Sequence, residues 1–153
     1  MPEPIKRHIN LQPLSRDHHF GLLLCFKIRE GFRRKVEPER IKRYADWFWQ
    51  HHLVPHFITE EKHVFPILGN DHPLVGQALA EHRQLQQLFE KQEDVSATLS
   101  QIEEALDAHI RFEERVLFNE IQKIAAPEQL AECEKHHHGP FEGEPWPDEF
   151  WMG

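Results

Sequence analysis

The feature that most constrains this chain is the spacing of its apolar residues, which recur at steps of three and four along four long segments. Residues at these steps share one face of an α-helix. The third segment carries Val75 and Leu85 on such a face, and the fourth carries Leu99, Ile102 and Leu106. Short connections make consecutive helices antiparallel neighbours. The sequence therefore predicts an all-α protein with an antiparallel, up-down-up-down four-helix bundle.

Caps and helix breakers give the limits of these helices. We expect four helices, followed by a short C-terminal one, over about 15–34, 38–68, 71–91, 96–125 and 127–136. Ser15 and Asp71 are the expected N-caps, and Pro55 should bend the second helix. The chain then divides into a bundle over residues 1–136 and a tail over 137–153. The tail is rich in proline and aromatic residues and packs on the bundle or extends from it.

Histidine and glutamate interrupt the apolar face of all four helices near mid-length. The chain has 13 histidines in 153 residues. On two helices a glutamate follows a histidine after four residues, which places it one turn further along the same face. The inward polar residues are His18 on the first helix, His52, His56 and Glu60 on the second, His82 on the third, and His109 and Glu113 on the fourth.

The two inward glutamates need a compensating charge. Burying an ionised carboxylate without a partner costs on the order of several kcal/mol, and the inward faces carry no Lys or Arg. A single buried histidine is more often a hydrogen-bonded core residue, but four on four helices favour a metal site. Imidazole and carboxylate suit divalent iron, manganese or zinc. The ligands are too many for one tetrahedral zinc ion and sufficient for two adjacent ions.

Several histidines have a neighbour that competes for the same role. His18 is preferred over His19, and His52 over His51, because each shares a face with residues one turn away. His52 and His63 are the two candidates for completing the coordination. These assignments depend on the helical register, which the structure can test.

Other residues near the site have expected roles. Glu61 and Glu114 follow the inward glutamates by one residue, a rotation of about 100°, and belong on the surface or against the ligands. The histidines at 136–138 are expected at the end of the short helix, where imidazolium meets the helix dipole. Apolar walls that limit the access of water are expected from Phe48, Leu106, Phe112 and Leu117.

Four stretches resemble the hemerythrin family, in the form called the hemerythrin-like HHE cation-binding domain. They are "SRDHH", "HFITEEKHVFP", "LAEHRQL" and "HIRFEERVLF", one on each helix, and together they cover residues from about 10 to 125. The resemblance implies an antiparallel four-helix bundle that holds an oxo- or hydroxo-bridged di-iron pair. It implies the following ligands, with both glutamates bridging: His18, His56, Glu60, His82, His109 and Glu113.

The third helix departs from the oxygen-carrying hemerythrins. Those proteins place a second histidine four residues from the first, where this chain has Ala78 and Gln86 on either side of His82. His52 would compensate from the second helix. An iron with fewer imidazoles has more open positions, so the resemblance implies a site that binds more than one small ligand or activates one.

The favoured function is the binding of O₂, NO or peroxide at a non-haem di-iron site, for sensing, carriage or iron and redox homeostasis. Zinc or manganese would accept the same ligands. One alternative is a di-iron oxidase or peroxidase-like enzyme, and another is a binding module with a structural metal. The sequence indicates neither a substrate pocket nor an electron donor, so we expect a protein other than a classical enzyme.

Composition and terminal sequence limit the partners and the location. The chain has 26 acidic and 18 basic residues, a net charge of −8, which argues against nucleic acid or an anionic membrane as its main partner. The stretch "MPEPIKRHIN" lacks the apolar core of a signal peptide, and Cys25 and Cys133 follow no metal or redox spacing. We expect a cytoplasmic monomer or homodimer with reduced cysteines.

Overall fold

The computed structural model of the chain describes residues 6–137 and 146–152. Within these ranges the chain is helical and has no β-strand, which confirms the all-α fold class. The α-helices are α1 (Gln12–Arg33), α2 (Pro38–Phe48), α3 (Val54–Thr59), α4 (Pro73–Glu90), α5 (Val95–Phe112), α6 (Phe118–Ile124) and α7 (Pro127–Lys135).

Three π-helical segments join these helices into longer runs. Trp49–Leu53 connects α2 to α3, Glu60–Val64 follows α3, and Glu113–Leu117 connects α5 to α6. The chain is consequently helical without a break over 38–67 and over 95–124, close to the limits expected for the second and fourth helices. A π turn holds an extra residue, and such turns occur frequently at functional sites.

Two of the expected helix starts are wrong. α1 begins three residues before Ser15, because its first turn accommodates a proline, whose missing N–H has no intrahelical partner there. Ser15 lies inside the helix and donates a hydrogen bond to Glu114 Oε2 at 2.9 Å. α4 is capped by His72 and not by Asp71, since His72 Nδ1 accepts a backbone N–H of the first turn at 3.1 Å.

The predicted buried face of the fourth helix is wrong beyond Glu113. Steps of three and four place Val116 and Ile124 inside, but they are 40% and 60% exposed. The buried residues are instead Leu117, Phe118 and Ile121. Because the π segment that begins at Glu113 adds one residue to the turn, the apolar face continues one position later than a regular helix would place it.

The apolar core has two parts, and the inward polar residues lie between them. The larger part includes Phe57 and Leu106, and the smaller part includes Phe65 and Phe118. The ring of His82 touches both parts, with its centroid 3.8 Å from that of Phe57 and 5.4 Å from that of Phe65. The polar cluster is therefore enclosed by apolar side chains on both sides along the helices.

α5 is packed against three of the other α-helices, namely α1, α2 and α4. α7 packs elsewhere, against the 3₁₀ turn Ile9–Leu11 and the π segment Glu60–Val64. The C-terminal helix thus covers the end of the molecule at which the N-terminal turn and one inward glutamate meet. No helix within the described ranges is long and apolar enough to cross a membrane.

The described part of the tail returns to the N-terminal half of the chain. The rings of three tail residues lie 5.0–5.9 Å from the ring of Tyr44, namely those of Trp146, Phe150 and Trp151. Arg40 donates two hydrogen bonds to the Asp148 carboxylate, at 2.9 and 2.6 Å. The other residues of the predicted tail, 138–145 and 153, lie outside the described residues.

Candidate metal centre

Each inward glutamate is the first residue of a π-helical segment. Glu60 begins Glu60–Val64, and Glu113 begins Glu113–Leu117. In both cases a histidine precedes the glutamate by four residues within regular helix, so the imidazole and the carboxylate lie on one face. The widened turn then redirects the side chains that follow. The two segments therefore present the same His-x-x-x-Glu-Glu arrangement to the interior, one from each long helical run.

Six of the seven predicted ligands converge in two groups that share both glutamates. In each group, one ligand atom from every residue lies within 4.8 Å of all the others. All six side chains are buried. The shared residues are Glu60 and Glu113, and the histidines are His18 and His56 in the first group and His82 and His109 in the second. These buried groups can hold metal.

The distances match the spacing of atoms around common ions. His18 Nε2 lies 2.8 Å from Glu113 Oε1, and His56 Nε2 lies 3.3 Å from Glu60 Oε2. In the second group, His82 Nε2 lies 3.2 Å from Glu60 Oε1. Two ligand atoms about 2.1 Å from one ion are about 3.0–4.2 Å apart, depending on the angle between them. The two distances to Glu60 lie in this range, and the distance from His18 to Glu113 is slightly shorter. Because Glu60 turns one oxygen toward each group, its carboxylate is oriented to bridge two ions.

Several buried polar atoms of this cluster have no hydrogen-bond partner within the part of the chain that the structure describes. They are both carboxylate oxygens of Glu60, Oε2 of Glu113, Nδ1 of His18, and the Nε2 atoms of His82 and His109. A buried polar atom without a partner costs about 1–3 kcal/mol. Divalent cations that accept imidazole nitrogen and carboxylate oxygen would satisfy all of these atoms except Nδ1 of His18. The donor set therefore fits a metal.

A further carboxylate lies behind each of the four imidazoles, at its Nδ1 atom. The distances from Nδ1 to oxygen are 2.9 Å for His56 and Asp17, 2.7 Å for His82 and Glu61, 2.7 Å for His109 and Glu81, and 3.3 Å for His18 and Glu114. The contacts of His56, His82 and His109 are hydrogen bonds, whereas that of His18 is only an ion pair. An ionised carboxylate only accepts hydrogen bonds, so Nδ1 of these three rings carries a proton and Nε2 is the atom left to bind metal. Metal-bound imidazoles in proteins are commonly oriented in this way.

The sequence predicted half of these outer carboxylates. Glu61 and Glu114 were assigned to the surface or to contacts with the ligands, and the structure gives them the second role. Asp17 and Glu81 are outside the predicted set. Glu81 precedes His82 along α4 but contacts a histidine of α5, so no spacing within one helix could identify its role.

The charges of the buried groups depend on one another. Burial alone would lower the pKa of His18, but Glu113 and the other nearby carboxylates outweigh burial and raise that pKa well above 6.5. The same competition, with Glu60 as the main opposing group, raises the pKa of His56 to about 9. Burial would raise the pKa of Glu113, but the imidazoles, His109 foremost, hold it well below 4.5. The site thus favours ionised glutamates surrounded by positive charge.

Aromatic rings cover the imidazoles. Phe57 stacks on His82 with ring centroids 3.8 Å apart, and Phe118 stacks on His18 at 5.3 Å. Both phenylalanines were missed as wall residues. Three of the predicted wall residues are buried in the core and the fourth is half-buried: Phe48, Leu106 and Leu117, and then Phe112. Apolar side chains therefore surround the imidazoles, and such surroundings strengthen electrostatic interactions between the buried groups.

His52 and His63 lie outside both groups. His52 is buried on the π segment Trp49–Leu53, where its Nε2 lies 3.3 Å from the backbone carbonyl oxygen of Asp17. Its ring packs against Phe48, with centroids 4.6 Å apart. His63 is half-buried and stacks on another imidazole of the C-terminal segment. The π turn thus directs His52 toward the backbone of α1.

Two surface clefts reach the second group. One, of about 490 Å³, lies between α4 and α5 and is lined by Glu81 and His109 among others. The other, of about 420 Å³, is lined by Phe57, Glu61 and His82. Each cleft therefore ends at one imidazole and the carboxylate behind it, and gives small molecules a route to that half of the site.

Comparison of the chain with protein-family models, with curated proteins and with solved structures returns no match.

Proposed function

We propose that the chain binds two metal ions bridged by Glu60 and Glu113, with one histidine pair on each ion, and that the bound pair is iron. The observation that carries this proposal is the pair of buried groups that share both glutamates. One ion would leave one histidine pair without a cation. Two ions supply every imidazole and both carboxylates with a partner.

The coordination numbers favour iron over zinc. Each ion would receive two imidazole nitrogens and two carboxylate oxygens. Four donors complete the tetrahedral shell of a structural zinc ion. Iron in such nitrogen and oxygen sites takes more ligands and keeps positions for exogenous molecules. The set contains no thiolate, because both cysteines lie outside the two groups.

We also propose that the chain is a hemerythrin-like protein of the HHE type, with its long helices arranged as an antiparallel bundle. The six residues that converge are the six that the family resemblance implies as ligands. The connections 34–37, 68–72 and 91–94 are short, which favours antiparallel neighbours.

The proposed role is to bind O₂, NO or peroxide for sensing, carriage or iron and redox homeostasis. When bound, an iron pair supplies reversible electron transfer to such ligands. The chain contributes the rest: four imidazoles fixed by outer carboxylates, two bridging glutamates, and apolar rings that exclude water. We expect neither nucleic acid nor a membrane among its partners, and a cytoplasmic location.

One observation favours an oxidase or peroxidase-like enzyme as a second candidate. The cleft of about 420 Å³ beside His82 and Phe57 is large enough for a small organic molecule and adjoins one proposed ion. An enzyme would consume a reductant at this site over many turnovers, whereas a carrier or a sensor would bind and release its ligand without consuming a reductant.

The first experiment measures metal content and absorption spectra of the untagged protein, without oxygen and then in air. Two irons per chain with near-ultraviolet bands that appear on oxygenation and reverse would support ligand binding at an iron pair. Two irons with irreversible bleaching, or with turnover of an added reductant, would support the enzyme. One zinc ion, or no metal in a folded chain, would contradict the proposal and leave the binding-module interpretation.

Variants of the two bridging residues test the shared geometry. Glu60→Ala and Glu113→Ala should each reduce the content of both ions, because each carboxylate serves both groups. Glu120→Ala is the control, since the Glu120 side chain on α6 is 42% exposed, pairs with Lys123 at 3.0 Å and lies outside both buried groups. Loss of a single ion in both bridging variants would show that the glutamates act separately and would contradict bridging.

A further inference from the structure

The C-terminal segment reaches the metal centre through one buried contact. His137 lies two residues after the end of α7, and its Nε2 is 2.7 Å from Asp17 Oδ2. The two side chains are only 6% and 3% exposed. The same oxygen lies 2.9 Å from Nδ1 of His56. His137, Asp17 and His56 therefore form a chain of hydrogen bonds that ends on a proposed ligand.

The geometry fixes what each member can do. Oδ2 of the Asp17 carboxylate accepts a hydrogen bond from each ring, so both imidazoles hold the same oxygen atom. A carboxylate held in this way keeps the ring of His56 in one orientation, with Nε2 toward Glu60 at 3.3 Å. Removal of His137 takes away one of the donors to this oxygen and loosens the contact between Asp17 and His56.

The segment that carries His137 is firmly attached to the rest of the molecule. Leu130 and Cys133 of α7 are buried in the smaller part of the core. Cys133 Sγ donates to the carbonyl oxygen of His63 at 3.4 Å, and His136 stacks on the ring of His63 at 4.1 Å. These contacts place the end of α7 over the π segment that begins with Glu60.

Asp17 is the most covered of the four outer carboxylates among the described residues, with 3% of its side chain exposed. Glu114, Glu61 and Glu81 are 31%, 44% and 26% exposed. Glu114 is held by an ion pair with Arg7 of the N-terminal segment, whereas Glu61 and Glu81 line the two surface clefts. All four imidazoles are buried, so the two halves differ in what lies behind them: terminal segments on one side and surface clefts on the other.

We propose that His137 is a positioning residue that secures the ion of the His18 and His56 pair by holding Asp17 against His56. The proposal rests on the two-ion site proposed above. The proposal gives the C-terminal segment a role in metal retention. His137 lies outside the four sequence motifs that carry the proposed ligands. The covered ion is retained, and the ion beside the clefts exchanges more readily.

The test uses the full chain loaded with Fe²⁺ without oxygen and then challenged with excess 2,2′-bipyridine. Wild-type protein should release its iron in two phases of equal size. In His137→Ala the slow half should leave about tenfold faster, at the lower end of the effect of removing an outer partner of a metal-bound imidazole. His137→Gln should restore slow release, because its amide N–H can donate to Asp17.

The matched control is Lys135→Ala, which changes an exposed residue of the same segment. Lys135 is 71% exposed and lies 4.0 Å from Glu132 on the surface, so its removal should leave both phases unchanged. Mössbauer spectra should show one altered iron environment in His137→Ala and none in Lys135→Ala. Thermal unfolding of the metal-free variants separates loss of fold from loss of positioning, because a positioning residue changes release even when the melting temperatures agree.

Three outcomes would overturn the inference. Release from His137→Ala at the wild-type rate would show that Asp17 needs no support. Equal acceleration of both phases, or no rescue by His137→Gln, would show a general loss of structure. These results leave the two-ion site standing. Failure of wild-type protein to retain Fe²⁺ is the separate result that would remove the proposed function, and this inference with it.

Discussion

The outer carboxylates give the most direct prediction, and Glu81 is the best position to test. Its Oε1 lies 2.7 Å from Nδ1 of His109, on the half of the site beside the clefts. The change Glu81→Gln keeps the shape of the side chain and an oxygen that can accept the same hydrogen bond. It removes only the negative charge, so the change isolates the electrostatic part of the interaction.

The expected magnitude follows from the kind of hydrogen bond. A bond to a charged group contributes about 1.5–3 kcal/mol, and a neutral one contributes about 0.5–1.5 kcal/mol. The difference between the two contributions is about 1–1.5 kcal/mol. Glu81 is 26% exposed and water screens part of its charge, so we expect the binding free energy of the ion to fall by no more than this difference. That free energy corresponds to binding that is weaker by about fivefold to tenfold. Only the ion next to His109 should be affected.

The assay is competition for metal between the protein and a chromophoric chelator, fitted with two dissociation constants. Glu81→Gln should raise one constant and leave the other near its wild-type value. Glu90→Gln is the control on the same helix, because Glu90 is exposed and its side chain is bonded only by Gln86. Unchanged constants in Glu81→Gln would refute the orienting role. Loss of both ions would mean that Glu81 is itself a ligand.

Two further predictions concern packing and pH. Gly31→Ala should destabilise the fold by about 1–2 kcal/mol, because the new Cβ would lie 2.5 Å from buried Ile41 Cδ1. Gly76→Ala, with nothing within 4 Å, should stabilise it by about 0.5–1 kcal/mol in denaturant unfolding; equal effects would contradict the packing of α1 on α2. In metal-free protein the pKa of His56 is raised to about 9, since neighbouring carboxylates outweigh its burial. The stability that protonated His56 contributes is then full below pH 6.5 and is lost as pH rises from 6.5 through 9. An unfolding midpoint of the metal-free protein that rises over this range would refute the assignment.

The positions of the proposed ligands could be predicted because they depend on one local regularity. Steps of three and four along α4 place Val75, Ala78, His82, Leu85 and Phe89 inside, and all five are buried. The same steps are correct on α5 as far as Glu113. Beyond Glu113 these steps give the wrong buried residues, because a π turn interrupts the helix. No residue near either glutamate predicts a π turn from the sequence.

The outer carboxylates were less predictable because they act between helices. Glu81 on α4 supports His109 on α5, and Asp17 on α1 supports His56 on α3. Which helices face one another, and at what height, is decided by packing of the whole core. One clue was present nonetheless: Asp17 lies three residues after buried Leu14, so it belongs to the inward face of α1. His137 offered no such clue, since only tertiary folding brings it to Asp17.

The charge balance of the site is a reason to expect the same fold with and without bound metal. Burial lowers the pKa of the four inward imidazoles, but the neighbouring carboxylates outweigh burial and raise it, so protons on these rings help to balance the buried glutamates in the metal-free chain. Divalent ions take over this role when they displace those protons. Because protons and ions balance the same carboxylates, we expect the metal-free chain to fold. Loading should release protons in weakly buffered solution near pH 7, as a pH indicator would record. Release of none would show that the imidazoles are neutral before metal binds, and that the ionised glutamates are stabilised in some other way.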